Sequence, residues 1–120
     1  MLLQLIKAIR PINLLVITLT FYVLHTLGIN SLELIPGSYQ ISLKFLTIST
    51  LLIAAAGYLI NDYYDKEIDF INKGNKQNPL SKQVLLTVYI ILNITALILS
   101  FTFAFSNYIF WIFPISIILL

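Results

Sequence analysis

The chain contains no cysteine. That absence removes a disulfide framework, a thiolate metal site and a cysteine nucleophile together. Charge is nearly as scarce: only 10% of the 120 residues are Asp, Glu, Lys or Arg, where soluble chains carry about 25%. With 59% hydrophobic residues and a mean hydropathy of +0.94, this is the composition of an integral membrane protein. Histidine occurs once, as His25 in an apolar run. Without a second ligand it reads as a helix histidine satisfied by a neighbour, not as a metal site. The seven basic residues form no dense patch, so nucleic acid is not an expected partner. No small-x-small site follows the first apolar stretch, which disfavours a cleaved signal peptide. Acidic residues number five, and none lies beyond Asp69.

What the chain has instead is long apolar runs. After an amphipathic lead carrying Lys7 and Arg10, Pro11 suits the first turn of a helix. The run 12–29 holds no charge and reaches the lower range for a membrane span. Further spans are expected at 41–60 and 84–105. The segment 108–120 is too short to cross, although Tyr108, Phe110, Trp111 and Phe113 form an aromatic cluster of the interfacial kind. The expected fold class is all-α: a multi-pass transmembrane helical bundle. Turn residues fill 30–40, around Pro36 and Gly37, and a polar loop runs from Asn72 to Pro79. Ala54, Ala55, Ala56 and Gly57 permit close approach of another helix. Lysines and Arg10 lie before the first span and between the second and third. The positive-inside rule therefore puts the N-terminus and the second loop in the cytoplasm, with the protein in the cell (inner) membrane.

Four of the five acidic residues sit together in Asn61-Asp62-Tyr63-Tyr64-Asp65-Lys66-Glu67-Ile68-Asp69, directly after an apolar run. Carboxylates at the end of a membrane-grade segment are costly to desolvate, so the default reading is a functional site. On a helix, Asn61, Asp62, Asp65 and Asp69 fall within an arc of roughly 100°, while Glu67 points to the other side. So many carboxylates on one face repel each other unless a cation neutralises them. An oxygen-only set suits Mg2+, which keeps some waters and is completed by substrate phosphates. An EF-hand is excluded, because Tyr64 and Lys66 stand where oxygen ligands belong. The bland alternative is a solvated helix end.

Asn61-x-x-x-Asp65-x-x-x-Asp69, with Asp62 inside it, Ala55-Ala56-Gly57-Tyr58 ahead and Asn72-Lys73 behind, resembles the first aspartate-rich motif of the UbiA family of intramembrane prenyltransferases. Arg10-Pro11-x-Asn13-Leu14-Leu15 is similar to the opening of that family's first helix, where Arg and Asn approach the active site. A hydrogen bond from Asn13 to a neighbouring helix is the other reading. The resemblance covers residues 1–120 as the first three to four helices of a UbiA-like bundle. It implies transfer of a polyprenyl group from its diphosphate to a lipid-like or aromatic acceptor, with a lean toward geranylgeranylglyceryl phosphate. Asn61, Asp62, Asp65 and Asp69 would hold Mg2+, with Asp62, Asp65 and Asp69 counted as catalytic. Arg10, Asn13, Asn72, Lys73 and Lys76 would bind substrate; for the lysines a purely topological role is the plainer one. Tyr58, Tyr63 and Tyr64 either anchor the interface or face an allylic cation. An Arg-Pro pair frequent in the family's loop is absent; Asn78-Pro79 stands there. Nothing matches the family's second acidic motif, so the 120-residue piece alone is expected to be inert. A non-catalytic membrane scaffold derived from such an enzyme is the competing expectation.

Overall fold

Apolar runs without proline continue as helix until a turn residue stops them. The computed structural model describes residues 1–29, 37–73, 80–104 and 112–119. Lys76, the Asn78-Pro79 pair, Pro36 and the aromatics Tyr108, Phe110 and Trp111 lie outside these residues. Among the described residues every regular element is helical. In chain order they are α1 (Leu2–Ala8), α2 (Pro11–Val23) running on into a π-helical stretch (Leu24–Ile29), α3 (Gly37–Lys73), α4 (Lys82–Ala104) and α5 (Ile112–Leu119).

Helix α3 is longer at both ends than the sequence indicates. Gly37 to Gln40 are already helical, and the helix passes the acidic stretch to end at Lys73. From Ser38 to Lys73 the chain contains no proline and only one glycine, Gly57, so nothing forces an end earlier. Its 37 residues make about 55 Å of helix, against a hydrocarbon core of about 30 Å. The part long and apolar enough to cross is Lys44–Lys66; in α4 it is Lys82–Phe101. Helices α1 and α2 meet at 56° and make a third crossing if the bent pair counts as one. The molecule is an integral membrane protein of the helical-bundle kind.

Lipid gives no hydrophobic drive for helix association, so close contact between small side chains must hold the bundle. The buried stripe of α3 is Ser49, Ile53, Ala55, Ala56 and Leu59; that of α4 is Leu85, Asn93, Ala96 and Ser100. Leu59 shares one cluster with Leu80, Leu85 and Ala8 of α1, and Ile53 shares another with Ala96. Moving back along α3 therefore means moving forward along α4: the pair is antiparallel. Helix α2 buries no residue, and Ile12, Leu15, Val16 and Leu19 face outward, as a lipid-facing helix should. Several hydroxyls inside the apolar segments find backbone partners one turn earlier, whereas Ser49 Oγ is buried without one among the described residues. Thr18 donates to the Leu14 carbonyl, Thr50 to Leu46, Thr95 to Ile91 and Ser100 to Ala96, all at 2.8–2.9 Å. In a medium that offers no water, this local bonding avoids stranded donors.

Candidate functional site

Because α3 is unbroken through the acidic stretch, its faces follow from the 100° step. Leu59, Ala56 and Tyr63 turn toward α4. Asn61 and Asp65 lie on the far side and are exposed, while Asp62 lies on the flank between the two faces and is half-buried. Tyr58 falls within the same arc, one turn before Asp62. Asp69 continues the stripe along the helix backbone, but its side chain lies outside the described residues. The same holds for Asn72 and Lys73, which occupy the last turn of α3 instead of a loop.

The side chain that reaches this face from elsewhere is Arg10. Pro11 occupies the first position of α2, and a following proline disfavours right-handed helical geometry. Arg10 instead adopts φ 51°, ψ 68°, the left-handed region, and is the one non-glycine residue with positive φ among those described. The bend it makes brings its guanidinium to 3.8 Å from Asp62 Oδ1 and 5.0 Å from the centre of the Tyr58 ring. A left-handed non-glycine residue costs about 1–2 kcal/mol. A partly exposed ion pair contributes about 0.2–1 kcal/mol and an exposed cation–π contact about 0.5–1 kcal/mol. The contacts roughly offset the strain, so the guanidinium is held there only weakly. Asn13 is exposed, and its backbone N–H donates to the Arg10 carbonyl at 2.9 Å, closing the first turn of α2.

The other basic groups gather on the α4 side. Lys66 Nζ donates to the Leu80 carbonyl, tying the end of the spanning part of α3 to the chain just ahead of α4. Lys82 Nζ lies 5.3 Å from the centre of the Tyr63 ring, and Tyr63 meets Tyr64 edge-to-face at 5.2 Å. Ser81 Oγ accepts the Val84 N–H at 3.2 Å, capping α4. Tyr63 is thus a packing residue, Tyr64 an exposed one, and Tyr58 the one tyrosine of the three on the acidic face. Sequence reasoning left Tyr58 undistinguished from the other two, although the 100° step alone puts it in the arc with Asp62.

Among the described residues no three His, Asp or Glu side chains converge into a preformed cage. Two carboxylates and an amide oxygen on one helix face are nonetheless a donor set that fits a hard divalent cation. Such a cation keeps several waters and takes its remaining oxygens from a substrate phosphate. A soft or borderline metal would require nitrogen or sulfur ligands, which this face lacks.

Comparison with known proteins bears on the same residues. The model of the UbiA prenyltransferase family matches residues 14–120, beginning directly after Asn13. The digeranylgeranylglyceryl phosphate synthase of Thermococcus sibiricus is 35% identical over 108 residues, covering 88% of this chain and 37% of that protein. The synthases of the same name from Saccharolobus solfataricus and Korarchaeum cryptofilum are 46% and 42% identical over 52 and 60 residues. Those alignments cover 41% and 48% of this chain, and 18% and 21% of the relatives. The chain therefore matches little more than a third of the length of the first relative and about a fifth of the other two. No solved structure matches it.

Proposed function

The chain belongs to the UbiA prenyltransferase family, and from that premise we propose that it supplies the donor-binding half of a membrane prenyltransferase. The reaction moves a polyprenyl group from its diphosphate to a lipid acceptor. Since the relatives are named digeranylgeranylglyceryl phosphate synthases, the acceptor class is a prenylated glyceryl phosphate. The observation that carries this reading is the placement of Asn61, Asp62 and Asp65 within one arc of α3 outside the Ala56, Leu59 and Tyr63 stripe, with Arg10 drawn to it from the bend before α2.

In this reading Asn61, Asp62, Asp65 and Asp69 hold Mg2+, which when bound neutralises the diphosphate as it leaves. The chain's own residues supply the rest. Asp62 and Asp65 fix where the diphosphate head sits relative to the apolar length of α3. Arg10 adds a positive charge beside it, and Asn72, Lys73 and Lys76 follow the stripe in sequence as further candidates for its oxygens. The apolar faces of α2 and α3 keep water from the allylic cation that forms when the carbon–oxygen bond breaks. The lysine distribution supports a cytoplasmic N-terminus and a cytoplasmic motif, in the cell membrane. A cysteine placed at Asn75 should react with an impermeant reagent only after the membrane is opened; labelling from outside intact cells would reverse that orientation.

One stripe of carboxylates leaves a diphosphate open on its other side, so a second set of ligands must come from outside residues 1–120. The test follows from this. The chain is co-expressed with the remaining length of the Thermococcus sibiricus relative, then supplied with Mg2+, geranylgeranyl diphosphate and geranylgeranylglyceryl phosphate. Prenyl transfer should appear in the pair and not in either part alone. A pair that assembles yet never releases diphosphate would favour a non-catalytic scaffold.

A further inference from the structure

We propose that Arg10 is a resident cation of the site, held on Asp62 and Tyr58 until an incoming divalent metal displaces it. The inference rests on the function proposed above and concerns how these residues behave before substrate arrives. Its basis is that one guanidinium makes both contacts: 3.8 Å to Asp62 Oδ1 and 5.0 Å to the Tyr58 ring. These are two places where positive charge belongs during the reaction. A metal needs the Asp62 carboxylate, and an allylic cation is stabilised by the open face of an aromatic ring. With Arg10 in place, neither is fully available.

Three features make the arrangement displaceable. At a given distance a divalent ion attracts a carboxylate twice as strongly as a guanidinium does. Arg10 remains 47% exposed as a side chain and Asp62 21%, so the pair is not sealed from a competing ion. The backbone of Arg10 is left-handed, at the 56° bend between α1 and α2, where strained joints tend to move. Released from Asp62, the guanidinium stays near the same helix face and becomes available to the diphosphate that arrives with the metal. Arg10 would thus act first as a positioning residue for Asp62 and Tyr58 and only afterwards as a ligand.

The chain has a single arginine, since Lys7, Lys44, Lys66, Lys73, Lys76 and Lys82 account for the other six of its seven basic residues. An arginine-directed dicarbonyl reagent, followed by mass spectrometry, therefore reads Arg10 alone. The test uses the 120-residue chain in lipid nanodiscs. Asp62→Asn should raise the labelling rate several-fold without any metal. Mg2+ alone should raise the wild-type rate toward the same level and leave Asp62→Asn unchanged; inorganic pyrophosphate added with Mg2+ should then protect Arg10. Mn2+ binding read by EPR gives a second measure. Arg10→Gln should bind Mn2+ several-fold more tightly than wild type, whereas Lys7→Gln, an equal loss of charge at an exposed position of α1, should not. Unchanged wild-type labelling at Mg2+ levels where EPR shows occupancy would overturn the displacement and leave the metal reading standing. Failure of both wild type and Arg10→Gln to bind Mn2+ would overturn the displacement together with the function it rests on.

Discussion

The two long faces of α3 differ in almost every property. Toward α4 the helix presents Ser49, Ile53, Ala56 and Leu59, all buried, small or apolar, with no charge until Lys66 bonds the Leu80 carbonyl. On the other side it presents Tyr58, Asn61, Asp62 and Asp65, half-buried or exposed and rich in side-chain oxygen. One face is built for contact between helices, and the other has polar groups that this bundle leaves largely uncovered. A helix divided in this way separates stability from chemistry. Substitutions on one face should alter what the other leaves untouched, and that separation can be attacked experimentally.

The largest effect is expected at Asp65. In a transfer-competent assembly, Asp65→Asn should reduce prenyl transfer by at least about a hundredfold, in line with the several kcal/mol a charge-stabilising group supplies in a transition state. Membrane insertion and resistance to unfolding should not change. Diphosphate release measured beside a denaturation curve checks both halves of the statement. Transfer that survives in Asp65→Asn would place the chemistry elsewhere.

The packed face should behave in the opposite sense. Ala56 is fully buried where α3 and α4 come together, and Ala56→Leu adds volume that the interface has no room for. Overpacking of this kind costs about 1–3 kcal/mol, visible as a lower midpoint when the chain unfolds in mixed micelles. Mn2+ binding to whatever fraction remains folded should be unaffected. A loss of metal binding that exceeded the loss of folded protein would mean the two faces are coupled.

How much of this was legible in advance depends on the range of the physics involved. The helical nature of the chain and the single face shared by Asn61, Asp62 and Asp65 rest on local rules: apolar run length and a fixed 100° step. The direction of the packed face was only partly readable, from the small residues Ala54 to Gly57. The contact of Arg10 with Asp62 and Tyr58 joins distant parts of the chain and depends on a bend whose angle no local rule sets. Pro11 announced that something would happen at Arg10; that it takes a left-handed conformation and swings onto α3 is a tertiary result. The late end of α3 was misjudged for the reverse reason. Asn72 and Lys73 tolerate turns, but toleration is not a stop signal, and both belong to α3.

A smaller effect is expected where Lys66 meets Leu80. That bond ties the last turn of the spanning part of α3 to the start of α4, on the packed side of the helix. Lys66→Met keeps the aliphatic stem and removes the donor. A single hydrogen bond of this kind contributes about 0.5–1.5 kcal/mol net, so the unfolding midpoint should fall slightly. Amide exchange near Leu80 and Ser81 should quicken more clearly than in the middle of α4. If Ser81 and its neighbours keep their protection, the Ser81 cap alone is sufficient to start α4.

The smallest effect, with the most informative sign, is expected at Asn93. Its side chain is 6% exposed within the α3–α4 pair; Nδ2 donates to the Tyr89 carbonyl at 3.0 Å, and Oδ1 is buried with no partner. A buried acceptor without a donor is a cost the pair carries, and interhelical polar bonds in membranes contribute only about 0.6 kcal/mol on average even when made. Asn93→Leu keeps the number and branching of the side-chain heavy atoms, with methyls bulkier than the amide, and removes the unpaired oxygen. It should therefore leave the isolated chain equally stable or stabilise it by less than about 1 kcal/mol, by the asymmetry between unmade and absent hydrogen bonds. The measurement is the unfolding midpoint of the 120-residue chain, repeated after assembly with the remaining length of a relative. A gain in the first case turning into a loss in the second would mean that Oδ1 finds its donor on a helix outside this chain. A loss already in the isolated chain would mean that the bond from Nδ2 to the Tyr89 carbonyl outweighs the cost of the unpaired Oδ1.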